Sequence, residues 1–437
     1  MALTDDIVAR LTRRGILSGA ELARALGISA PTLSRQLRAS AGRVLRIGQT
    51  RGARYAAYRA VAGVPSQLPV FRIDDKGAAS RVATLHLLAL GQHWLEPERQ
   101  PEPQSEQGPA VLFAGLPPVL ADMAPQGFLG RGFSVNHADL DLPRRLQDWN
   151  DDHRLIAVAR RGEDCLGNLV FGEESLNRFL DSTSTPVARQ DYPACASAAA
   201  GSGGSSAGGE YPKFTAQTDG RHLIVKFTAG DGSPSERRWR DLLVCESLAL
   251  EILSANGIAS SHAEIVDVGS QRFLEIERFD RIGARGRRGV ITAGPLDDEL
   301  HGQRDNWPAF AGRMLRDGLL PSEDVRCIRL LEAFGQLIGN TDRHFGNLCF
   351  FADGLLREPP LRLAPVYDML PMAWAPDSGI VPTLALPTAR PRANTLEVWK
   401  EAVPLAQAFW RQVAEDGRIS AEMRAAAASS ADVLYQT

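Results

Sequence analysis

The chain has little of what marks membrane-spanning or disulfide-rich proteins. Its 437 residues include five scattered cysteines and no CxxC pair, so neither a disulfide framework nor a structural zinc site is expected. No run of about eighteen uncharged apolar residues occurs, which argues against a membrane span. The opening residues carry acids and lack the apolar block of a signal peptide. These absences favour a cytoplasmic globular protein of roughly two to four domains.

Lysine is missing from the first sixty residues, and acidic residues are scarce there. The segment contains eleven arginines against Asp5, Asp6 and Glu21, which gives it a charge of +8. The rest of the chain therefore carries −11, because the net charge is −3. A basic segment on an acidic body is typical of a module that binds a polyanion such as DNA.

The same segment has the pattern of a winged helix-turn-helix, which we expect over residues 1–62. Ser18, with Glu21 three residues later, forms the capping box of a second helix. Ser29 opens a third helix, and two short strands, residues 43–48 and 53–59 around a turn at residues 49–52, would form the wing.

The third helix of this motif reads the major groove from its beginning. A module that only docks proteins is the alternative interpretation. For DNA contact we expect outward side chains of this helix and one arginine of the wing, namely Thr32, Ser34, Arg35, Gln36, Arg38 and Arg51.

The next hundred residues have a weaker pattern, and we expect a second domain over residues 63–160. Residues 82–90 predict either an apolar strand or a helix, and residues 142–152 predict a helix. From Leu155 the chain alternates as in a hairpin. Residues 183–209 are rich in Ser, Ala and Gly, which favours a flexible linker, although a Gly-rich turn between strands can also bind phosphate.

The clearest chemical pattern lies in the expected third domain, residues 161–437. Asp342 precedes Asn347 by five residues, the spacing of the catalytic loop in protein kinases. The Asp342 carboxylate would orient and deprotonate an attacking hydroxyl, and the Asn347 amide oxygen would bind Mg²⁺. Alone this spacing is weak evidence, because a capped turn would also produce it.

Further residues stand in the order that a kinase requires. Lys226 follows three apolar residues in a predicted strand and would reach the phosphates of ATP. Glu246, on the next helix, would pair with Lys226, and Asp368, at the end of a later strand, would be a second Mg²⁺ ligand. Taken singly, an exposed strand lysine and a solvated helix glutamate are the simpler interpretations. Together they predict a bilobal kinase that uses ATP and Mg²⁺.

Four short segments resemble the HipA family of bacterial kinase toxins, most closely its YjjJ-like branch. Residues 341–347 match the family's T-D-x-H-x-x-N segment, and residues 367–368 match its Y-D segment. Residues 276–281 match I-E-R-F-D-R, and residues 205–208 match the S-x-A-G loop. The resemblance covers about residues 75–430, and the added helix-turn-helix points to the YjjJ-like branch.

This resemblance implies an α+β fold, in which a bilobal HipA-like kinase with a mixed β N-lobe and a helical C-lobe follows the winged helix. It implies a serine/threonine kinase toxin of a toxin–antitoxin type, with a cellular protein as substrate and translation as the process thought to be attacked. An antitoxin of the HipB type would be a partner. The implied catalytic base is Asp342, and the implied metal ligands are Asn347 and Asp368. The implied ATP-binding residues are Lys226, Glu246, Glu277, Phe279, Ser206, Ala207, Gly208 and His344.

The Gly/Ser-rich loop is the implied site of autophosphorylation. Ser205 matches the family's serine, while Ser206 and Ser202 are alternative positions. This loop is one residue longer than the family's A-G-A-Q-x-K pattern, which leaves the placement of Lys213 open.

Two other functions remain open. Small-molecule kinases share a similar spacing of Asp and Asn, and the hinge and loop segments favour the HipA-like interpretation over them. A DNA-bound transcriptional regulator with a degenerate kinase fold is the second alternative. A degenerate fold has no reason to keep all four of Lys226, Asp342, Asn347 and Asp368.

Overall fold

The chain forms four consecutive segments, each of which contains at least one antiparallel sheet. A computed structural model describes residues 2–48, 52–98, 110–182, 185–203, 211–352, 360–386 and 389–434. The segments are an N-terminal module, a middle segment and two lobes.

Three helices and a small three-stranded sheet form the N-terminal module. The Ser18 hydroxyl accepts from the N–H of Glu21 at 3.2 Å, and the Glu21 carboxylate accepts from the N–H of Ser18 at 2.8 Å. Ser29 caps the third helix by accepting from the N–H of Thr32 at 3.4 Å. The sheet has the order β1–β3–β2. The elements are α1 (Ala2–Arg14), β1 (Leu17–Ser18), α2 (Gly19–Leu26), α3 (Ala30–Ala39), β2 (Val44–Ile47) and β3 (Arg54–Ala57).

The N-terminal module shares apolar clusters with the middle segment. Ala89 is buried in the cluster that contains Leu11 of α1. Leu88 is fully buried against Leu45 of β2. A fragment that ended at residue 62 would lack Leu88 and Ala89 and would uncover Leu11 and Leu45, so experiments on the module require the whole chain.

A five-stranded antiparallel sheet of order β7–β6–β5–β4–β8 forms the middle segment. The region 82–90, ambiguous in sequence, belongs mainly to strand β5. Apolar side chains of α7 pack on the sheet in one cluster. The elements are β4 (Gln67–Ile73), β5 (Ala79–Leu87), β6 (His93–Pro97), β7 (Val111–Phe113), α4 (Pro118–Met123), α5 (Gly127–Arg131), α6 (Phe133–Asn136), α7 (Asp151–Arg161), β8 (Leu169–Phe171) and α8 (Glu173–Asp181).

Helix α7 corrects two predictions, the hairpin from Leu155 and the helix over residues 142–152. The helix begins later than predicted, because the side chain of Asn150 caps it by accepting from the N–H of His153 at 3.0 Å. Residues 155–159 are all apolar and all buried. A continuous apolar run of this kind carries no periodicity that distinguishes a strand from a helix.

Strand β8 indicates where the middle segment ends and the lobes begin. It lies beyond residue 160, yet it pairs with β4, with Phe171 opposite Val70. Helix α8 follows β8 and packs against α7. We therefore propose that the middle domain extends to about residue 182 and that the kinase-like part begins near helix α9.

The N-lobe is an antiparallel sheet of order β11–β12–β10–β9, and a helix covers each of its faces. Helix α9 packs on one face and the long helix α10 on the other. The elements are α9 (Tyr192–Gly203), β9 (Lys213–Thr218), β10 (Arg221–Phe227), α10 (Pro234–Ala255), β11 (Ala263–Val268) and β12 (Gln271–Glu277).

Helix α9 replaces part of the expected linker, so the linker prediction is wrong for residues 192–203. Tyr192 anchors the helix: it is fully buried, and its hydroxyl donates to Glu275 Oε1 at 2.7 Å. Alanine is the strongest helix former, so an Ala-rich segment becomes helical where one face is buried. Residues 204–210, which include the predicted phosphate loop, lie outside the described residues.

The C-lobe is mostly helical, and its apolar cluster, which also includes residues of α10, is the largest among the described residues. Two small sheets, β13–β14 and β15–β16–β17, lie in this lobe. Within the described ranges, no helix is long and apolar enough to span a bilayer. The elements are β13 (Arg281–Ile282), β14 (Gly286–Arg287), β15 (Val290–Thr292), α11 (Ala293–Leu300), α12 (Trp307–Arg316), α13 (Ser322–Leu337), β16 (Cys349–Phe351), β17 (Arg362–Leu363), α14 (Leu396–Glu415) and α15 (Ala421–Leu434).

A buried carboxylate joins the middle domain to the C-lobe. Asp122 of α4 accepts from the N–H and from the hydroxyl of Thr292, both at 2.7 Å. Burial raises the pKa of Asp122 to about 6, although the two hydrogen bonds from Thr292 act to lower it. The folded protein therefore holds a proton on this carboxyl at a pH where the unfolded chain has released it.

We expect Asp122→Asn to flatten the pH dependence of stability. Because the folded pKa of Asp122 lies above its ordinary value, its contribution to stability is fully present below about pH 4 and is lost as the pH rises through about 6. The loss amounts to about 3 kcal/mol at most. An asparagine can accept from the N–H of Thr292 through its oxygen and donate to the Thr292 hydroxyl through its nitrogen, so both contacts persist without a charge. Urea unfolding of both proteins between pH 4 and 7.5 measures this. The free energy of unfolding of the variant, relative to that of the wild type, should increase as the pH rises. Parallel pH profiles would contradict the prediction.

Candidate active site

Strand β10 places Lys226 on the inner face of the N-lobe sheet. Successive side chains of a strand point to opposite faces. Leu223, Val225 and Phe227 therefore pack in the cluster beneath α9. Ile224 and Lys226 lie on the other face and line the cavity between the lobes.

Lys226 is paired with two carboxylates. Its ammonium donates to Glu246 Oε1 at 2.8 Å and to Oε2 at 2.7 Å, and it also contacts Oδ1 of Asp368. The Glu246 side chain is 0% exposed and that of Lys226 is 6% exposed, whereas Asp368 is 26% exposed. The structure thus brings together three residues that lie far apart in sequence.

The charges of this group determine its protonation. Burial acts to lower the pKa of Lys226, but Asp368 and Glu246 outweigh it and raise that pKa above its ordinary value. Burial acts to raise the pKa of Asp368, but Lys226 and Lys213 outweigh it and lower that pKa to about 2. At neutral pH Lys226 is therefore a cation and Asp368 an anion.

The loop after α13 exposes Asp342 and holds its backbone at both ends. The N–H of Asp342 donates to Asn340 Oδ1 at 3.0 Å. Its carbonyl accepts from Nδ2 of Asn347 at 2.9 Å. An amide binds cations through its oxygen, and this hydrogen bond turns the nitrogen of Asn347 toward Asp342, so Oδ1 is the end that would hold a cation.

Aromatic and polar contacts join this loop to the segment that carries Asp368. His344 Nδ1 accepts from the N–H of Gly346 at 2.9 Å. The hydroxyl of Tyr367 donates to the carbonyl of Gly346 at 2.6 Å. The Tyr367 ring lies 5.8 Å from the ring of Phe279, centroid to centroid, so it also contacts the predicted hinge.

The hinge segment is tied to the middle domain. Asp164 pairs with Arg278 at 3.0 Å and with Arg281 at 2.8 Å. The N–H of Glu277 donates to the carbonyl of His262 at 2.9 Å. Adenine recognition in this segment would therefore use backbone groups other than the N–H of Glu277.

A cavity of about 1520 Å³ lies between the lobes and the middle domain. Its volume exceeds the roughly 300–1,000 Å³ typical of small-molecule pockets. Eight residues predicted from the sequence line it: Lys226, Glu246, Glu277, Phe279, Asp342, His344, Asn347 and Asp368. Ser205, Ser206, Ala207 and Gly208 lie outside the described residues.

The oxygen atoms of Asp368 and Asn347 in this cavity are of the kind that binds Mg²⁺. Mg²⁺ prefers hard oxygen ligands and is commonly held by one or two carboxylates, waters and substrate phosphates. Asp368 would supply a carboxylate and Asn347 an amide oxygen. The Asp368 carboxylate already contacts a cation, the ammonium of Lys226, which shows that this position stabilises positive charge.

The sequence did not reveal the roles of two groups of residues. Asn340 contacts both Asp342 and Asp368, but an asparagine just beyond a helix is common in turns. Asp122 and Asp164 of the middle domain line the cavity, and their contacts join positions more than a hundred residues apart.

The fold is similar to that of HipA. In a solved complex of the Shewanella oneidensis MR-1 toxin–antitoxin system HipA, HipB and operator DNA, one chain is 16% identical to this protein. The match covers 84% of this chain and 96% of that chain, with a TM-score of 0.51. The protein therefore has a HipA-like kinase fold of the α+β class.

Sequence comparisons define the family. A family model for the YjjJ-like toxin middle domain matches residues 64–180, and one for the HipA-like C-terminal domain matches residues 205–433. Toxin YjjJ of Escherichia coli strain K12 is 37% identical over 428 residues, which are 95% of this chain and 94% of that protein. The chain belongs to the YjjJ-like toxins of the HipA family, and the resemblance seen in the sequence is confirmed.

Proposed function

We propose that this protein is a cytoplasmic serine/threonine protein kinase toxin that uses ATP and Mg²⁺. The observation that carries the proposal is the cavity in which Lys226, Glu246 and Asp368 lie with Asp342 and Asn347. Its substrate would be a cellular protein.

Each residue then has a role set by its position. Lys226, held by Glu246, binds the ATP phosphates. The exposed carboxylate of Asp342 orients the attacking hydroxyl and takes its proton. Asn347 and Asp368 would hold Mg²⁺, which neutralises charge on the phosphate oxygens.

Autophosphorylation tests this function and distinguishes a protein kinase from a small-molecule kinase or a degenerate fold. After incubation with Mg·ATP, mass spectrometry should find phosphate in residues 190–213, mainly on Ser205. A phosphate adds about −1.5 to −2 charge, which would repel the phosphates of ATP, so the modified protein should lose ATP binding. Asp342→Ala is the negative control for this experiment. The same variant is the control for a phosphoproteome recorded after brief expression, which would identify the cellular substrate. Phosphate found only elsewhere, or unchanged ATP binding after modification, would count against the proposal.

For the N-terminal module we propose DNA binding through α3. Ser34, Arg35 and Arg38 are exposed on this helix, whereas Thr32 and Gln36 are half-buried. The Gln36 side chain accepts from the Thr4 hydroxyl at 2.9 Å, which makes Arg35 the better candidate for reading bases. Arg51 lies outside the described residues.

Arg35→Ala in the full chain should relax sequence preference. Loss of one base contact costs about 1–3 kcal/mol of discrimination, whereas loss of a phosphate contact weakens binding to all duplexes. The measurement is a gel shift against the region upstream of the gene and against a scrambled duplex. Arg316→Ala, at an exposed arginine of α12, is the matched control. If the wild-type protein does not change the mobility of either duplex at low salt, a protein-docking role for the module would be the better interpretation.

We also propose an antitoxin of the HipB type as a partner. Membership of a toxin family supports this proposal, and the similar Shewanella structure contains HipA, HipB and operator DNA.

A further inference from the structure

A buried asparagine, Asn340, lies between the loop of Asp342 and the segment of Asp368. It follows the end of α13, where Gly339 has a φ of +73° and the N–H of Asn340 donates to the carbonyl of Gly335 at 2.8 Å. This left-handed glycine with a returning hydrogen bond is a common helix ending, and it fixes the backbone of Asn340. Asn340 is 1% exposed, so its side chain is fixed as well.

The two ends of the Asn340 amide bond to the backbones of two predicted site residues. Oδ1 accepts from the N–H of Asp342 at 3.0 Å. Nδ2 donates to the carbonyl of Asp368 at 3.3 Å and lies 3.4 Å from the sulfur of Met369. One rigid group therefore connects the backbone of the expected base with that of an expected metal ligand.

The backbone of Asp368 needs such support. Its φ is +52°, a left-handed conformation that residues other than glycine seldom adopt. Such a conformation persists only where its surroundings hold it. Before it, Val366 is fixed by hydrogen bonds with Ala259 and Ser261, both at 2.9 Å, and Asn340 holds the carbonyl of Asp368 itself.

We infer that Asn340 is a positioning residue that sets the spacing between Asp342 and Asp368. The inference rests on the proposed function, in which Asp342 orients the nucleophile and Asp368 binds Mg²⁺. A misplacement of about 1 Å in a reacting geometry can cost about 10²-fold in rate. A single side chain that holds both segments is therefore suited to keep the nucleophile and the metal in register.

The test is Asn340→Asp in the full chain. The carboxylate still accepts from the N–H of Asp342, but it has no hydrogen to donate to the carbonyl of Asp368 and turns a negative charge toward it. The Mg²⁺ concentration for half-maximal phosphoryl transfer should rise about 10- to 100-fold, and kcat should fall, while the KM for ATP at saturating Mg²⁺ stays unchanged. Asn256→Asp is the matched control, because Asn256 also donates its amide to a carbonyl, that of Ile252 at 2.8 Å, at a helix end that does not line the cavity.

A second readout needs no catalysis. Thermal unfolding with a non-hydrolysable ATP analogue should show the same rise in the Mg²⁺ midpoint for Asn340→Asp and an unchanged stabilisation by the analogue in EDTA. Asn340→Ser, whose hydroxyl can also accept from the N–H two residues on, covers the case in which the aspartate variant does not fold.

The outcomes separate the inference from the proposed function. A variant that melts lower but keeps the wild-type Mg²⁺ midpoint would overturn the inference and leave Asn340 as a helix cap. A wild type that binds Mg²⁺ with the analogue but transfers no phosphate would contradict the kinase function. The Mg²⁺ midpoints would still decide the role of Asn340 in that case.

Discussion

Asp342→Ala is expected to abolish phosphoryl transfer while leaving the protein folded. Loss of a general base typically lowers the rate by about 10²–10⁴-fold. The fold should survive because Asp342 is exposed and because the bonds from Asn340 and Asn347 use its backbone, which alanine keeps.

Initial rates with saturating Mg·ATP would measure this loss, and circular dichroism would check the fold. Asp181→Ala, at an exposed aspartate that ends α8, is the matched control and should retain the wild-type rate. Transfer by Asp342→Ala at the wild-type rate would remove Asp342 from the catalytic role, whatever the other residues of the cavity do.

The order of the site residues could be predicted because the chemistry restricts both residue type and position. A lysine for phosphates, a partner carboxylate and an Asp–Asn loop must follow one another along the chain of a kinase. Lys226, Glu246, Asp342 and Asp368 stand in that order and line one cavity.

Other features could not be predicted, because they depend on distances that the sequence does not carry. Asp164 pairs with Arg278, which lies 114 positions later, and the sequence around either residue does not predict this contact. The sequence does not distinguish helix α7 from a hairpin, because its run of apolar residues has neither a helical nor a strand period. The composition of helix α9 predicts a linker, because composition does not show that Tyr192 anchors the segment in a buried cluster.

The second large effect is expected at Asp368, where Asp368→Asn should weaken Mg²⁺ binding with bound nucleotide. Residues around metal sites typically contribute about 10–100-fold to metal affinity even when they are not ligands, so a charged ligand should contribute at least as much. Asn347→Ala should cost less, because it removes a neutral oxygen. Asparagine is the better replacement for Asp368, since it tolerates the φ of +52° at this position.

The substitution should change the charge of the cavity without opening the buried ion pair. Lys226 keeps both hydrogen bonds to Glu246 when Asp368 is neutralised, so no buried charge is left without a partner. Asp219→Asn is the matched control: Asp219 also has a φ of +52°, and it lies exposed in the turn between β9 and β10. Calorimetric titration of Mg²⁺ into each protein with a non-hydrolysable ATP analogue measures the effect. Equal Mg²⁺ affinities in Asp368→Asn and Asp219→Asn would exclude Asp368 as a metal ligand. Loss of its carboxylate would then affect Mg²⁺ binding no more than loss of the exposed carboxylate of Asp219.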